Sequence, residues 1–504
     1  MTNFLNQFNQ ACDANFQLIL ADNSIVDCQR VVRVIPQKRV VCQAIWHNKT
    51  VYAKLFLGAD AAKYAARDAA GVKFLSDANI NTPALLAQTI TQDNSAKVLI
   101  FEAITPAQTA EQVWPDLDAK QRLILASNLV LEVAKHHNAG LIQTDLYLKN
   151  FLVADQLIYT LDGDGIRQFA DLSNEKATQN LCVLLSKFDV LETQKWVETL
   201  LETYFKTRGR VVEKDAVKKD NKKNNDLADI ILKANQHRLK VASAYADKKV
   251  FRQCTDVNID ALEGLFYAAS SHANLMLPKN ISALDALIQP QNLLKNGNTC
   301  TVALTDIDGK KIVIKRYNIK SFWHGVGRAF RQTRAAVSWA NAHRLNVLGI
   351  ATAQPIALIE TRQFRYLRGK AYFLAQYIDA FDVAEYFAQT PDKIARAEAV
   401  KNIVTLFYKL YLLQISHGDM KATNIKIVNH KPVLIDLDSM RQHRKIKINT
   451  HIKDLQRFMQ NWQNEPALYN AFVKTFKVVY PDISVLMKAG IGQNKELSHK
   501  EINN

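Results

Sequence analysis

The sequence predicts an α+β protein made of two tandem domains on one plan, each a small antiparallel-sheet lobe followed by a mostly helical lobe. Three observations carry this. The loop QTDLYLKN, with Asp145 and Asn150, is repeated as HGDMKATN, with Asp419 and Asn424. Each loop is followed by a short apolar run ending on a further aspartate, Asp162 and then Asp436, at the same spacing in both copies. Each is also preceded by a strand-like segment carrying a lysine, TVYAKLF with Lys54 and KKIVIKRY with Lys315. A period of about 250 residues with such internal landmarks means duplicated domains rather than a solenoid. The boundaries fall at 1–225 and 226–504, with a basic linker region over 206–226.

In chain order, residues 1–35 read as helical and then loop-like. RVVCQAIW and TVYAKLF form two strands joined at His47-Asn48. Lys54 sits on the second, and an ammonium on a half-buried strand needs an anionic partner. Residues 60–77 form a helix on which Asp68 is the acid placed to hold Lys54. KVLIFEAI is a buried strand entering a hinge at Glu102 and Ala103. An amphipathic helix over 117–139 leads to the Asp145 loop, with His136 and His137 as packing or capping residues near its end. After Asp162 the next helix begins near Asn180, so no long segment intervenes.

The linker, KTRGRVVEKDAVKKDNKKNND, is charged and poor in apolar residues. No aromatic residues are interleaved for base stacking, which disfavours nucleic acid as a partner. Residues 227–290 read as helical. The second copy then starts with TCTVALTDI and KKIVIKRY, joined through Asp308-Gly309, a strong hairpin signal. Arg328, Arg331 and Arg334 follow, either a cluster that reads an anionic acceptor or a basic helix face in water. The helix RAAVSWANAHRL has no acid for Lys315. GIATAQPIAL repeats NINTPALLAQ, YFLAQYI carries a second hinge at Gln376 and Tyr377, and a long helix over 392–414 leads to the Asp419 loop. Neither copy has a glycine-rich phosphate loop.

The totals set outer limits. Of 504 residues, 48% are hydrophobic and 22% charged, ordinary for globular domains. No apolar run is long enough to span a membrane. MTNFLNQFNQACDANFQ has no basic segment followed by an apolar core, which predicts no secretory signal. The six cysteines are scattered without a C-x2-C pair, pointing to a reducing compartment and no zinc site. A net charge of +17 favours anionic partners, whether ATP, nucleic acid or an acidic lipid surface, and charge alone does not choose among them.

Phosphoryl transfer needs a carboxylate to orient and deprotonate the attacking hydroxyl, and an amide oxygen with a second carboxylate to hold Mg2+ against ATP. The two loops and their following strands resemble the catalytic loop and metal strand of the protein-kinase-like fold. Asp419 and Asp145 match the base, Asn424 with Asp436 and Asn150 with Asp162 the metal ligands, and Lys315 and Lys54 the nucleotide lysines. The hinges Gln376, Tyr377, Glu102 and Ala103 would meet the adenine.

HGDMKATN, IDLDSM, the IKRY strand and RAAVSWANAHRLNVLGIAT together resemble the bacterial lipopolysaccharide core kinases, the InaA-like and Kdo/heptose kinase group. KRVVCQAIWHNKTVYAKLF, INTPALL and QTDLYLKN are similar to the same group. The resemblance covers roughly 30–190 and 290–465. It implies ATP and Mg2+ as cofactors and phosphorylation of a Kdo or heptose hydroxyl of the inner core. It also implies a cytoplasmic enzyme with peripheral contact to the anionic inner-membrane surface. His417 matches the family histidine, where the first copy has Gln143. The glycine that follows the metal aspartate is kept as Gly163 and replaced by Leu437. Three other readings use the same residues: a protein kinase, disfavoured by the missing activation segment; an antibiotic-type small-molecule phosphotransferase; and a tandem pseudokinase scaffold.

Overall fold

The computed structural model describes residues 5, 7–8, 11–209, 220–262, 264–317, 332–363, 367–444 and 447–492. Arg328, Arg331 and the middle of the basic linker lie outside the described residues. The chain divides into two compact units, Met1–His237 and Arg238–Asn504.

In the first unit a six-stranded antiparallel sheet runs in the order Cys12–Ile19, Ile25–Ile35, Arg39–Trp46, Lys49–Phe56, Lys97–Glu102, Leu85–Ile90. The first two strands correct the helical and loop-like expectation for residues 1–35. Cys12, Ala14, Phe16, Leu18 and Leu20 alternate with the exposed Asp13, Asn15, Gln17 and Ile19, and this period of two puts Leu18 and Leu20 in the core beside Val26, Cys28 and Val31. Lys54 is pinned in mid-sheet, opposite Val41 on one side and Leu99 on the other. The helix Ala61–Asp77 leaves this sheet after the lysine strand.

The rest of the unit is mostly helical. Asp118 and Gln121 form a capping box that starts the helix Ala119–Asn138, and Gly140, at φ 70°, turns the chain out of it. Leu129 and Val133 of that helix pack with Leu181 and Leu184 of Asn174–Leu185 and Trp196 and Leu200 of Val190–Thr207.

The second unit has a seven-stranded sheet in the order Val257–Leu262, Leu265–Ser270, Pro355–Gln363, Leu367–Gln376, Lys310–Tyr317, Cys300–Ile307, Leu293–Asn296. Its first two strands correct the helical reading of 227–290, which holds only for Asp220–Asp247 and the short helix Ile281–Ala286. The four middle strands repeat the first unit: hairpin strand, lysine strand, hinge strand, outer strand. What differs is how each sheet is extended beyond them.

An aromatic core joins the helices Lys393–Leu412, Ile448–Met459 and Pro466–Val479. Phe458 meets Phe407 at 5.0 Å and Phe472 at 5.1 Å between ring centroids, and Trp462 stacks on Phe472 at 5.6 Å. Such pairs add about 0.5–1.5 kcal/mol each beyond burial. Among the described residues no helix is long and apolar enough to cross a membrane.

Candidate active site

Each unit builds the same loop from the same parts. A long helix delivers a short strand, Leu141–Gln143 or Ile415–Ser416, which pairs with Ile166–Gln168 or Arg441–Gln442. Between these lie a 3-10 turn ending on Asn150 or Asn424 and a tight hairpin ending just before Asp162 or Asp436. The asparagine amide ties the loop to itself: Asn150 Nδ2 donates to the Asp145 carbonyl at 2.8 Å, and Asn424 Nδ2 to the Asp419 carbonyl at 2.8 Å. The backbone then joins loop to metal strand, Leu161 N–H to Asn150 O at 2.8 Å and Ile435 N–H to Asn424 O at 3.0 Å.

Sheet and loop are tied equivalently too. Thr82 Oγ1 donates to Thr160 O at 2.9 Å, and Thr352 Oγ1 to Leu434 O at 2.8 Å. Asp162 and Asp436 both sit in the left-handed region, at φ 67° and 60°, where Asp is among the residues best tolerated. The spacing repeat is therefore a repeat of bonded geometry.

His417 is fully buried, and its Nε2 donates to Ile435 O at 3.0 Å. The ring thereby ties the Asp419 loop to the run that ends on Asp436. Gln143 makes the same bond in the first unit, Nε2 to Leu161 O at 3.1 Å. Behind His417, the buried Asp454 accepts the N–H groups of His417 and Gly418 at 2.7 and 2.9 Å. Asn180 stands at the corresponding place in the first unit and donates to Gln143 O at 2.9 Å. His137 supports Asn180 at 3.0 Å, and His136 meets Thr160 Oγ1 at 3.0 Å. Burial pushes these histidines down to about 4 and about 3, so both are neutral packing residues. Asp454 was visible in the sequence only as a position eighteen after Asp436; its two backbone bonds were not.

The lysines find different partners. Lys54 Nζ lies 2.8 Å from the fully buried Asp68 and 3.6 Å from Asp162. Counting back from the helix ends at Ala78 and Leu348, Ser338 takes the place of Asp68 in the second unit. The missing acid comes instead from the metal loop: Lys315 pairs with Asp436 and, at 2.9 Å, with Asp438. Asp438 also holds Arg334 at 2.9 Å. Burial raises the Asp438 carboxyl, but Lys315 and Arg334 outweigh it and hold it below the usual carboxylate range. Arg334, expected among acceptor-binding arginines, is thus committed to Asp438, with its guanidinium 5.4 Å from the Tyr317 ring. Sequence reasoning missed Asp438; the signal was a second aspartate two residues after the first in both copies, Asp164 and Asp438.

Asp419 stands at the mouth of its loop, with Asn424 Nδ2 at 3.2 Å, Lys421 at 3.4 Å and Arg457 at 3.6 Å from its carboxylate. A cavity of about 530 Å³ lies against this site, lined by Lys315, Arg334, Gln376, Tyr377, Asn424 and Asp436 among others. The hinge amides are already used: Gln376 N–H bonds Gln354 O at 2.9 Å and Tyr377 N–H bonds Lys311 O at 3.0 Å. Glu102 N–H likewise bonds Ala84 O at 2.9 Å, with Ala103 half-buried beside it. A base seated at the second hinge would have to meet atoms other than these two N–H groups.

Mg2+ is normally held by one or two carboxylates together with substrate phosphates and water. Around Asp436 the residues fit. Its carboxylate is 32% exposed, lines the cavity with Asn424 and, among the described residues, touches one cation, Lys315. Among the described residues no group of three or more His, Cys, Asp or Glu gathers as a metal site, so a cation here would complete its shell from phosphate and water. Around Asp162 they do not fit. Its side chain is 15% exposed and faces Arg39 at 3.3 Å, Lys54 at 3.6 Å and Arg33 at 3.8 Å. Burial raises the Asp162 carboxyl, and these three cations more than reverse it. Asp145, by contrast, is pushed up, by burial first and by Asp162 second.

Residues 289–480 match the family model described as the lipopolysaccharide kinase (Kdo/WaaP) family. The matched stretch spans the Lys315 strand, Gln376 and Tyr377, the Asp419 loop and the run ending on Asp436, and it supports a phosphotransferase. No curated protein matches the chain.

Proposed function

We propose that the second unit transfers the γ-phosphoryl group of ATP to a sugar hydroxyl, Kdo or heptose, of the lipopolysaccharide inner core. The observation that carries this is the coincidence of the family match with one cavity that gathers Lys315, Asn424 and Asp436 beside Asp419. Asp419 orients the acceptor hydroxyl and takes its proton as the new P–O bond forms. Lys315 holds the α- and β-phosphates, fixed in place by Asp438. Asn424 and Asp436 would hold Mg2+, which neutralises charge on the phosphates when bound. His417, Asp454 and Thr352 act through the backbone to keep these groups in register.

Only residues 437–447 separate Asp436 from the helix Ile448–Met459. That leaves little chain to dock a polypeptide and favours a sugar acceptor. The net charge of +17 suits a lipid A-core acceptor at an anionic, cytoplasmic membrane face. On this reading the chain is two kinase-like bilobal domains in tandem: the first unit keeps the plan and binds a nucleotide, and turnover resides in the second.

The test is phosphate transfer from labelled ATP to core oligosaccharide. Asp419→Ala should lower transfer by about a hundredfold or more, the scale of losing a positioned base. Asp145→Ala should leave most of it. Full transfer by Asp419→Ala would remove the assignment. Phosphorylation of generic protein substrates in place of the oligosaccharide would turn the reading to a protein kinase.

A further inference from the structure

In the first unit the place of the divalent cation is taken by protein. Arg39 pairs across the sheet with Phe56, two residues beyond Lys54; Cys300 pairs with Tyr317, two residues beyond Lys315. By register, then, a buried arginine in one site stands where the other has a neutral thiol. Arg33 has a cationic counterpart by the same count: it lies opposite Val41, as Lys295 lies opposite Val302, and Lys295 is exposed. Among the described cations that this register compares, the one without a counterpart is Arg39.

Its side chain is 10% exposed, and one guanidinium nitrogen reaches Asp162 at 3.3 Å and Asp68 at 3.9 Å. Its Nε is buried without a hydrogen-bond partner. A guanidinium does not lose its proton in proteins, so this charge is permanent. Magnesium seated on Asp162 would have to form beside that fixed charge and beside Lys54. A phosphate group meets the opposite situation: Arg33, Arg39 and Lys54 gather at Asp68 and Asp162, and a guanidinium fork matches phosphate oxygens.

We infer that the first unit binds the phosphates of a nucleotide without a divalent cation, Arg39 standing in for the metal, and that it does not transfer phosphate. This rests on the reading of Lys54, Asp145, Asn150 and Asp162 as a nucleotide site. It withdraws the metal-ligand role expected for Asn150 and Asp162 and the base role expected for Asp145.

The experiment uses the full chain with its second site silenced by Lys315→Ala and Asp436→Asn, titrated calorimetrically with ATP in EDTA and again in Mg2+. One ATP per chain should bind in both, with affinities within about threefold of each other. Adding Arg39→Cys, the second unit's own residue, should weaken binding in EDTA by about tenfold or more, with Mg2+ restoring part of it. Arg39→Lys, which keeps the charge, should retain metal-free binding and shows whether the site still folds. Conversely, Cys300→Arg in the parent chain should reduce Mg2+-dependent transfer by about tenfold or more.

The inference is overturned if the silenced chain binds no ATP in either buffer, or binds only with Mg2+. It is also overturned if Arg39→Cys loses ATP equally in both buffers while Arg39→Lys keeps it. Transfer to core oligosaccharide by the parent chain is read separately. Its absence strikes the second unit's assignment alone, and Mg2+ dependence of the silenced chain strikes only this inference.

Discussion

Asp438 does for Lys315 what Asp68 does for Lys54, from a different part of the chain. Nearly buried, with its side chain 3% exposed, it neutralises a lysine and an arginine together. Removing its charge leaves both cations facing a half-filled site, and Lys315 then leans on Asp436, the residue a metal needs. Asp438→Asn should therefore raise the KM for ATP and lower kcat/KM by about 10- to 100-fold, the usual cost of losing a group that orients a ligand. Steady-state kinetics with ATP varied checks this; an unchanged KM for ATP would detach Asp438 from nucleotide binding. Gln143 shows the reverse lesson. Its amide reproduces the bond made by the His417 ring to within 0.1 Å, 3.1 against 3.0 Å, so the change of residue type does not change the local bonding. A donor at that reach is what the position demands, and both side chains supply one.

At the scale of elements, the two units solve one packing problem in two ways. In the first, the helix Ala61–Asp77 presses backbone to backbone on the metal loop. A Cβ at Gly163 would lie 2.2 Å from Asp68 O, and one at Gly71 2.0 Å from Gly163 O. In the second, Leu437 replaces the glycine, and Asn341 spans the gap by donating to Leu437 O and Met440 O, both at 2.9 Å. Gly163→Ala should thus cost about 1–3 kcal/mol by overpacking, read as a lower urea midpoint. An unaltered midpoint would mean that the contact gives way freely. The elements that the sequence hid are those whose signal was shared or remote. The strand Cys12–Ile19 alternates cleanly, yet Leu5 and Phe8 just before it suggest a helical face. The hairpin of Val257–Leu262 and Leu265–Ser270 follows a long true helix and was absorbed into it. The loops around Asp145 and Asp419 were legible because local spacing alone defines them. The pairings of Asp438 with Lys315 and of Arg39 with Asp162 cross 123 residues each, and no periodicity reports them.

At the scale of the whole molecule, each unit has its own sheet and its own helices packed into a core. Equilibrium unfolding in urea should therefore proceed in two steps. Phe458→Ala, which opens the aromatic core of the second unit, should move one step by about 3–5 kcal/mol and leave the other in place. A single transition that shifts as a whole would mean that the units fold as one.

The anchoring of Lys315 has a consequence for control. Its acid sits in the same short turn as Asp436, and Arg334 and Asn341 tie that turn to the helix Arg334–Val347, so lysine, turn and helix are coupled. A shift of that helix would reach Lys315 through the turn rather than through an acid of the helix's own.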